Sequence, residues 1–387
     1  MRRGTTGRFH QSAAGGETVR AFIPEPLPPE PPLALDGALQ VSLEQALLAL
    51  GRLDSVTTLL PDPDLFLYMY VRKEAVLSSQ IEGTQSSLSD LLLFEMKEAP
   101  GAPLKDVLEV SNYVAAMEHG LKRLRGGFPL SNRLLREIHG VLLSKGRGRE
   151  KDPGHFRRSQ NWVGGTRPEN ALFVPPPHTE VEGCMGDLER FLHDDKTSIP
   201  VLVKAALAHV QFETIHPFLD GNGRVGRLLI TFLLCHAGVL QKPILYLSLY
   251  LKQNRDRYYR LLDEVRRTGD WEAWLAFFLD GVRQTADGAV STARRLVELF
   301  QKDRDRIQGG GRAAGSALRV HEVLKARPLV SLQEASRRAR ISFPAAASAM
   351  TLLMKLGVAR ELTGKRRNRV FGYDRYLKVL GEGTEPR

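Results

Sequence analysis

The chain has 387 residues, 42% hydrophobic and 26% charged, with a net charge of +11. That is the ordinary composition of a soluble globular protein, long enough for a sizeable core and two or three domains. Two cysteines, Cys184 and Cys235, make no disulfide framework, no apolar run reaches a membrane span, and Met1-Arg2-Arg3-Gly4 leads into no apolar signal core, so a cytoplasmic protein with buried free thiols and no membrane contact is expected.

Residues 1–41 read as an extended N-terminal arm. They are rich in Gly, Arg and Pro and end in a polyproline-like run over Pro24–Pro32, which suits a strap over the domain or a partner-binding motif. A helical region over 42–130 follows. Leu43, Ala46, Leu47 and Leu50 share one face of a helix running from Ser42 to Leu53. Leu65, Met69, Arg72, Val76 and Ile81 predict a second, closing in Ser78-Ser79-Gln80-Ile81-Glu82-Gly83 with Gly83 as its stop. Ser86–Met96 and Val107–Leu124 read as further helices, separated by a break at Pro100-Gly101-Ala102-Pro103.

Residues 131–307 read as the core. Ser131–Leu143 is a helix with Ser131 as N-cap, and its His139 reads as a satisfied structural histidine. Two strand-like pieces around Gly164-Gly165, within 154–177, predict a β-hairpin. Next, Ile199, Leu202, Val203, Ala206, Leu207 and Val210 recur at helical spacing, and Val225, Leu228, Leu229, Phe232 and Leu233 do so again. Between these two apolar helices lies His216-Pro217-Phe218-Leu219-Asp220-Gly221-Asn222-Gly223-Arg224-Val225-Gly226-Arg227.

The chemistry of that loop is legible. A glycine-rich turn entering a helix directs unpaired N–H groups and the positive end of the dipole at one point, which attracts an anion. Arg224 and Arg227 lie three apart on one face and can grip phosphate oxygens. Asp220 is a hard oxygen ligand suited to Mg²⁺, and His216 can take a proton from a hydroxyl. Together they point to transfer of a phosphorus group from a nucleotide to a hydroxyl. The run lacks the Gly-Lys-Ser/Thr ending, which argues against a Walker-type P-loop.

The stretch also resembles, at every defined position, the signature of the Fic family, His-Pro-Phe-x-Asp/Glu-Gly-Asn-Gly/Lys-Arg-x-x-Arg. The resemblance implies a mainly α Fic/Fido helical core with a small β-hairpin flap, and protein adenylyltransferase activity: AMP moves from ATP to a Tyr, Thr or Ser hydroxyl of a target protein. It implies that His216 is the catalytic base and that Asp220 holds Mg²⁺. Gly221, Asn222, Gly223, Arg224, Val225, Gly226 and Arg227 would bind the nucleotide phosphates, with Asn222 adding its side-chain amide and Phe218 anchoring the loop. Ser78–Gly83 resembles the family's inhibitory motif Ser/Thr-x-x-x-Glu-Gly/Asn, so Glu82 would pair with Arg227 and exclude the γ-phosphate. The hairpin corresponds to the flap that holds the target by strand addition. Asn254-Arg255-Asp256-Arg257-Tyr258-Tyr259 resembles the adenine segment, with Tyr258 or Tyr259 stacking on the base and Asn254 nearby. Auto-modification is expected as well.

Trp271, Trp274, Phe277 and Phe278 read as core on a helix reaching about Ile307. Residues 308–316, opening Gln308-Gly309-Gly310-Gly311, read as a linker, and 317–387 as an appended module whose removal should leave catalysis intact. Between Arg312 and Arg387 there are 16 Lys and Arg against 6 Asp and Glu; the rest of the chain carries 39 against 38, so the basic character belongs to the tail. Helices over Ala317–Ala326, Ser331–Ala339 and Ser342–Leu356, then a hairpin with Lys365, Arg366, Arg367 and Arg369 at its tip, resemble a winged helix–turn–helix. DNA binding and a protein-docking or homodimer-forming role fit it equally. The rival functions are a DNA-binding regulator whose core senses nucleotide, transfer of another phosphorus group, and removal of AMP with Glu82 positioning water.

Overall fold

The computed structural model describes residues 2–14, 17–59, 63–96, 104–194, 198–364 and 368–385. A hairpin of β1 (Gly7–Ala14) and β2 (Glu17–Pro24) precedes α1 (Gly37–Leu59), α2 (Pro63–Ile81), α3 (Leu88–Glu95) and α4 (Leu104–Arg125). Then come α5 (Asn132–Leu142), α6 (Val181–Leu192), α7 (Val201–Ile215), α8 (Asn222–His236), α9 (Ser248–Gln253), α10 (Arg255–Thr268) and the 38-residue α11 (Trp271–Gln308). The tail holds α12 (Ala314–Ala326), β3 (Leu329–Ser331), α13 (Leu332–Ala339), α14 (Phe343–Lys355), β4 (Arg360–Glu361), β5 (Val370–Gly372) and α15 (Asp374–Gly381). The fold is mainly helical, as the apolar periodicity predicts.

The pair α7 and α8 forms the centre. From Ala205 to Ile215 every residue is buried, and so is every residue of α8 from Arg224 to Leu234. A helix apolar on all sides belongs in the interior. The polar residues of α7 within that buried stretch, His209, Gln211, Glu213 and Thr214, are therefore buried too, and each needs a partner or a task. Around this pair, α1 packs along α11, α2 against α4 and α9, and α4 against α5. Trp274, Phe277 and Phe278 fill the core, and the Trp274 indole donates to the Ala206 carbonyl at 3.0 Å. Ser131 and Ser87 cap α5 and α3, the latter in a reciprocal box with Asp90.

Two expectations need correction, on the arm and on the linker. The extended arm is a hairpin over Gly7–Pro24: Phe22 is buried beside Phe9 and Phe173, and its N–H donates to the Val174 carbonyl at 2.9 Å. That pairing lies 152 residues away in sequence and leaves no local trace. The expected flap is present as a small hairpin, closed by one antiparallel bridge, Val163 to Phe173, with a 3₁₀ turn at Pro168–Asn170. The linker over 308–316 is not a spacer. Gly311–Ala313 is a single 3₁₀ turn, and Gly310 is packed so closely that a Cβ there would lie 2.5 Å from Leu352.

The tail is accordingly docked. Asp303 of α11 is fully buried and accepts from the Tyr373 hydroxyl at 2.7 Å and from Arg375 at 2.6 Å. Its sheet has the order β3-β5-β4, and α15 packs back on α2, α3 and α11. Residues 100–103 and 365–367, which carry the expected break and most of the basic tip, lie outside the described residues. Among those described, no helix is long and apolar enough to cross a membrane.

Candidate active site

The signature loop is held from behind. Helix α7 ends at Ile215, and His216 takes a left-handed conformation (φ +50°) before Pro217, which cannot continue the helix. Phe218 is fully buried and stacks on His139 at 3.8 Å. His139 Nδ1 accepts from the Gly154 N–H at 2.9 Å, which leaves Nε2 to donate to the Asp220 carbonyl at 3.0 Å. His139 is structural, as the sequence predicts. Gly221 caps α8 at φ +79°, a conformation that favours glycine, and the first helical bond runs from Val225 N–H to the Gly221 carbonyl. The N–H groups of Asn222, Gly223 and Arg224 precede that bond, so helix geometry leaves them without intrahelical partners.

Asn222 differs from expectation. Its amide oxygen accepts from Phe218 N–H and its amide nitrogen donates to the Phe218 carbonyl, both at 2.8 Å. The side chain ties the loop shut, so only its backbone can serve an anion.

Glu82 and Arg227 meet as the sequence predicts. Arg227 is buried; its Nε donates to the Ser78 hydroxyl at 2.8 Å, and its Nη2 to the Ser78 carbonyl at 2.9 Å and to Glu82 Oε1 at 2.7 Å. The same carboxylate oxygen lies over Gly223: a Cβ built there would approach it to 2.3 Å. One anion thus sits on both the helix N-terminus and the guanidinium.

Arg224 turns inward. Its side chain is 1% exposed and lies between Asp220 (3.3 Å) and Glu109 of α4 (3.6 Å). Asp220 also accepts from the Gly221 N–H at 2.6 Å, and its second oxygen lies 2.9 Å from where a Cβ on Gly148 would stand. Gly148 has φ +87°, so glycine is favoured there on both counts. Val225 is in the core, and Gly226 faces Glu213, whose Oε1 would be 2.5 Å from an added Cβ.

His216 is half-buried. Its Nδ1 lies 3.4 Å from the Glu213 carbonyl, which can only accept, so Nδ1 carries the proton and Nε2 keeps its lone pair. Burial lowers its pKa from the usual 6.5 to about 4, against the upward pull of that carbonyl. The imidazole is therefore neutral at pH 7. A base with a depressed pKa works above that value, so the acid limb of kcat/KM should lie well below pH 6.5; a limb centred at 6.5 would contradict this environment. The linked stability runs the same way. The unfolded chain takes up the proton near 6.5 and the folded chain only near 4, so stability falls as pH drops through that window.

The adenine segment divides. Tyr258 is 1% exposed and its hydroxyl bonds His209 Nε2 at 2.8 Å, so it packs inside and cannot stack on a ligand. Tyr259 is 39% exposed and feels the charges of Glu82 and Arg227, which places it by the site. Asn254 donates from its amide to the Tyr250 carbonyl at 2.9 Å, at the junction of α9 and α10.

Several site residues carry no motif. Arg157 is 2% exposed and binds the His216 carbonyl at 3.0 Å and the Pro176 carbonyl at 2.5 Å, fastening the flap base to the end of α7. Glu213 has a buried Oε1 without a hydrogen bond; burial pushes its pKa up to about 7 while Arg227 pulls it down. Arg266 lies over Phe173 of the flap at 3.9 Å. Glu213 on α7 and Arg266 on α10 offer only the signal that charged residues interrupt apolar faces, and Arg157, in the segment between α5 and α6, offers none.

A helix–loop–helix with an anion-attracting start, a neutral histidine before it and a glutamate laid across it defines a Fic-type site. The chain matches the Fic/DOC family N-terminal model over residues 41–122 and the Fic/DOC family model over residues 129–234. The protein adenylyltransferase Fic of Culex quinquefasciatus is 32% identical over 256 residues, 62% of this chain and 47% of that protein. The protein of the same name from Aedes aegypti is 37% identical over 206 residues, 48% of this chain and 37% of that one. The matched stretch is thus less than half of either relative. A Fic family protein from Desulfovibrio desulfuricans shares the fold, with a TM-score of 0.56 and 22% identity over 89% of this chain and 98% of that one.

Proposed function

We propose that this protein is an adenylyltransferase that moves AMP from ATP onto a Tyr, Thr or Ser hydroxyl of a target protein, and that Glu82 restrains it. The observation that carries this reading is the Glu82 carboxylate bound at 2.7 Å to Arg227 and seated over Gly223, where a phosphate would be drawn. His216 Nε2 takes the proton of the target hydroxyl. The oxygen attacks the α-phosphorus in line, the P–O bond toward the β-phosphate breaks, and pyrophosphate leaves. The N–H groups of Asn222, Gly223 and Arg224 hold phosphate oxygens, and Arg227, released from Glu82, orients the γ-phosphate. Tyr259, not Tyr258, stacks on the base.

Asp220 fits a Mg²⁺ site in its chemistry, as a single hard carboxylate. Among the described residues no group of three His, Cys, Asp or Glu could hold a metal, so phosphate oxygens and water would complete the shell. When bound, the ion would neutralise phosphate charge. The flap would take an extended target segment along its open strand, since β2 covers the Val174 side.

The tail has the element order of a winged helix. Its third helix, α14, bears an exposed Phe343 and almost no charge, and Arg369 is paired with Glu361. Those features favour protein contact over base reading. Mass spectrometry of the protein incubated with ATP tests the main proposal. An added AMP is expected on the chain or its target; an added phosphate, or no added mass on either, would overturn it.

A further inference from the structure

The turn that carries Glu82 is closed by a segment from the far end of the chain. Gln80, two residues before Glu82, donates from its amide to the Ser86 carbonyl and to the Thr384 carbonyl, both at 2.9 Å. Lys252 of α9 donates to the Gln80 amide oxygen at 2.6 Å, to the Gly383 carbonyl at 3.2 Å and to the Glu385 carbonyl at 3.0 Å. Lys252 is 7% exposed and Thr384 3%. Gly383 (φ +83°) lies so close to α9 that a Cβ would stand 2.6 Å from Leu249, and Glu382 is held by both Arg295 nitrogens at 2.5 and 2.7 Å. Residues 382–385 form a strap laid across α9, α11 and the end of α2.

We infer that this strap is a second lock on the inhibitory glutamate, with Gln80 and Lys252 as positioning residues that act through Glu82; the inference rests on the adenylyltransferase reading above. The end of α2 is a tight turn in which Glu82 and Thr84 N–H both reach the Ser79 carbonyl and Gly83 N–H reaches that of Gln80. Gln80 is therefore rigidly tied to Glu82. If the strap leaves, Lys252 loses the Gly383 and Glu385 carbonyls and Gln80 loses the Thr384 carbonyl, and buried polar groups do not tolerate such losses without rearranging. Gln80 is bound by both Lys252 and the strap, so that rearrangement is passed to the Glu82 turn. Glu82 itself is only partly buried, and its one hydrogen bond to Arg227 is easily shifted when its backbone moves. The tail's docked and undocked states then differ in how well Glu82 covers Arg227. Anything that binds the undocked tail better releases the site by that difference in affinity.

The test uses the full chain. Lys252→Met removes the three donors and keeps the apolar stem; Lys252→Arg keeps donors; Gln80→Leu cuts the same link from the other side. Each is made with and without Glu82→Gly, and radiolabelled AMP incorporation is measured with KM for ATP. Lys252→Met and Gln80→Leu should raise incorporation several-fold and lower KM for ATP, Lys252→Arg should stay near wild type, and neither loss should add anything in the Glu82→Gly background. Full activity of those double variants also shows that they fold. If Glu82→Gly activates but Lys252→Met and Gln80→Leu do not, or if they activate equally without Glu82, the second lock is wrong and the restraint by Glu82 stands. If Glu82→Gly itself gives no increase, both fall.

Discussion

His216→Ala should abolish AMP transfer while leaving nucleotide binding largely intact. The imidazole precedes the loop, and in the proposed mechanism its Nε2 takes the proton of the target hydroxyl while the loop amides and Arg227 hold the phosphates. Its pKa, lowered by burial to about 4, keeps the lone pair free at neutral pH. Removing a general base of this kind costs about 10²–10⁴-fold in rate. Phe218, His139 and Asn222 hold the loop independently of that ring, so the phosphate cradle survives the substitution. Transfer at the wild-type rate would remove His216 from the chemistry; loss of ATP binding, measured by calorimetry, would make it part of the cradle instead.

Glu82→Gly should raise auto-modification, read as radiolabelled AMP on the chain. A carboxylate that holds Arg227 at 2.7 Å and lies over Gly223 competes with a phosphate for the guanidinium and for the space at the helix start. A charge-assisted bond of this sort is worth about 1.5–3 kcal/mol, which corresponds to an increase of roughly ten- to a hundredfold if relief is complete. Gly83 already has φ +100° and an open side, so a second glycine beside it leaves the turn without a clash. Arg227 keeps its two bonds to Ser78 and stays in place to meet the γ-phosphate. Unchanged labelling would remove Glu82 as an inhibitor.

What the sequence made legible were features contained in short runs. Twelve contiguous residues carry the base, the carboxylate, the glycines and the arginines, and their order fixes a helix end, a loop and a helix start. The Glu82 turn was legible once its partner Arg227 was known, although 145 residues separate them. Features decided by distant packing were not legible. Tyr258 and Tyr259 are adjacent and alike, but only Tyr258 meets His209, and nothing local says which face α10 buries. Arg224 and Arg227 look equivalent on one helical face; Glu109 of α4 draws the first inward, and Ser78 with Glu82 fixes the second at the site. The glycines of 309–311 read as flexibility, whereas Leu352 packs on Gly310 because nothing larger fits. Within the arm, β1 and β2 form a hairpin whose β2 meets Val174, a partner that the arm's own composition does not announce.

The measurement that bears most directly on the central claim is a crystal structure of the Glu82→Gly chain with a non-hydrolysable ATP analogue. The phosphates should lie on the N–H groups of Asn222–Arg224, with the γ-phosphate on Arg227 and His216 Nε2 facing the α-phosphorus. Phosphates bound elsewhere, or a histidine walled off from them, would contradict it.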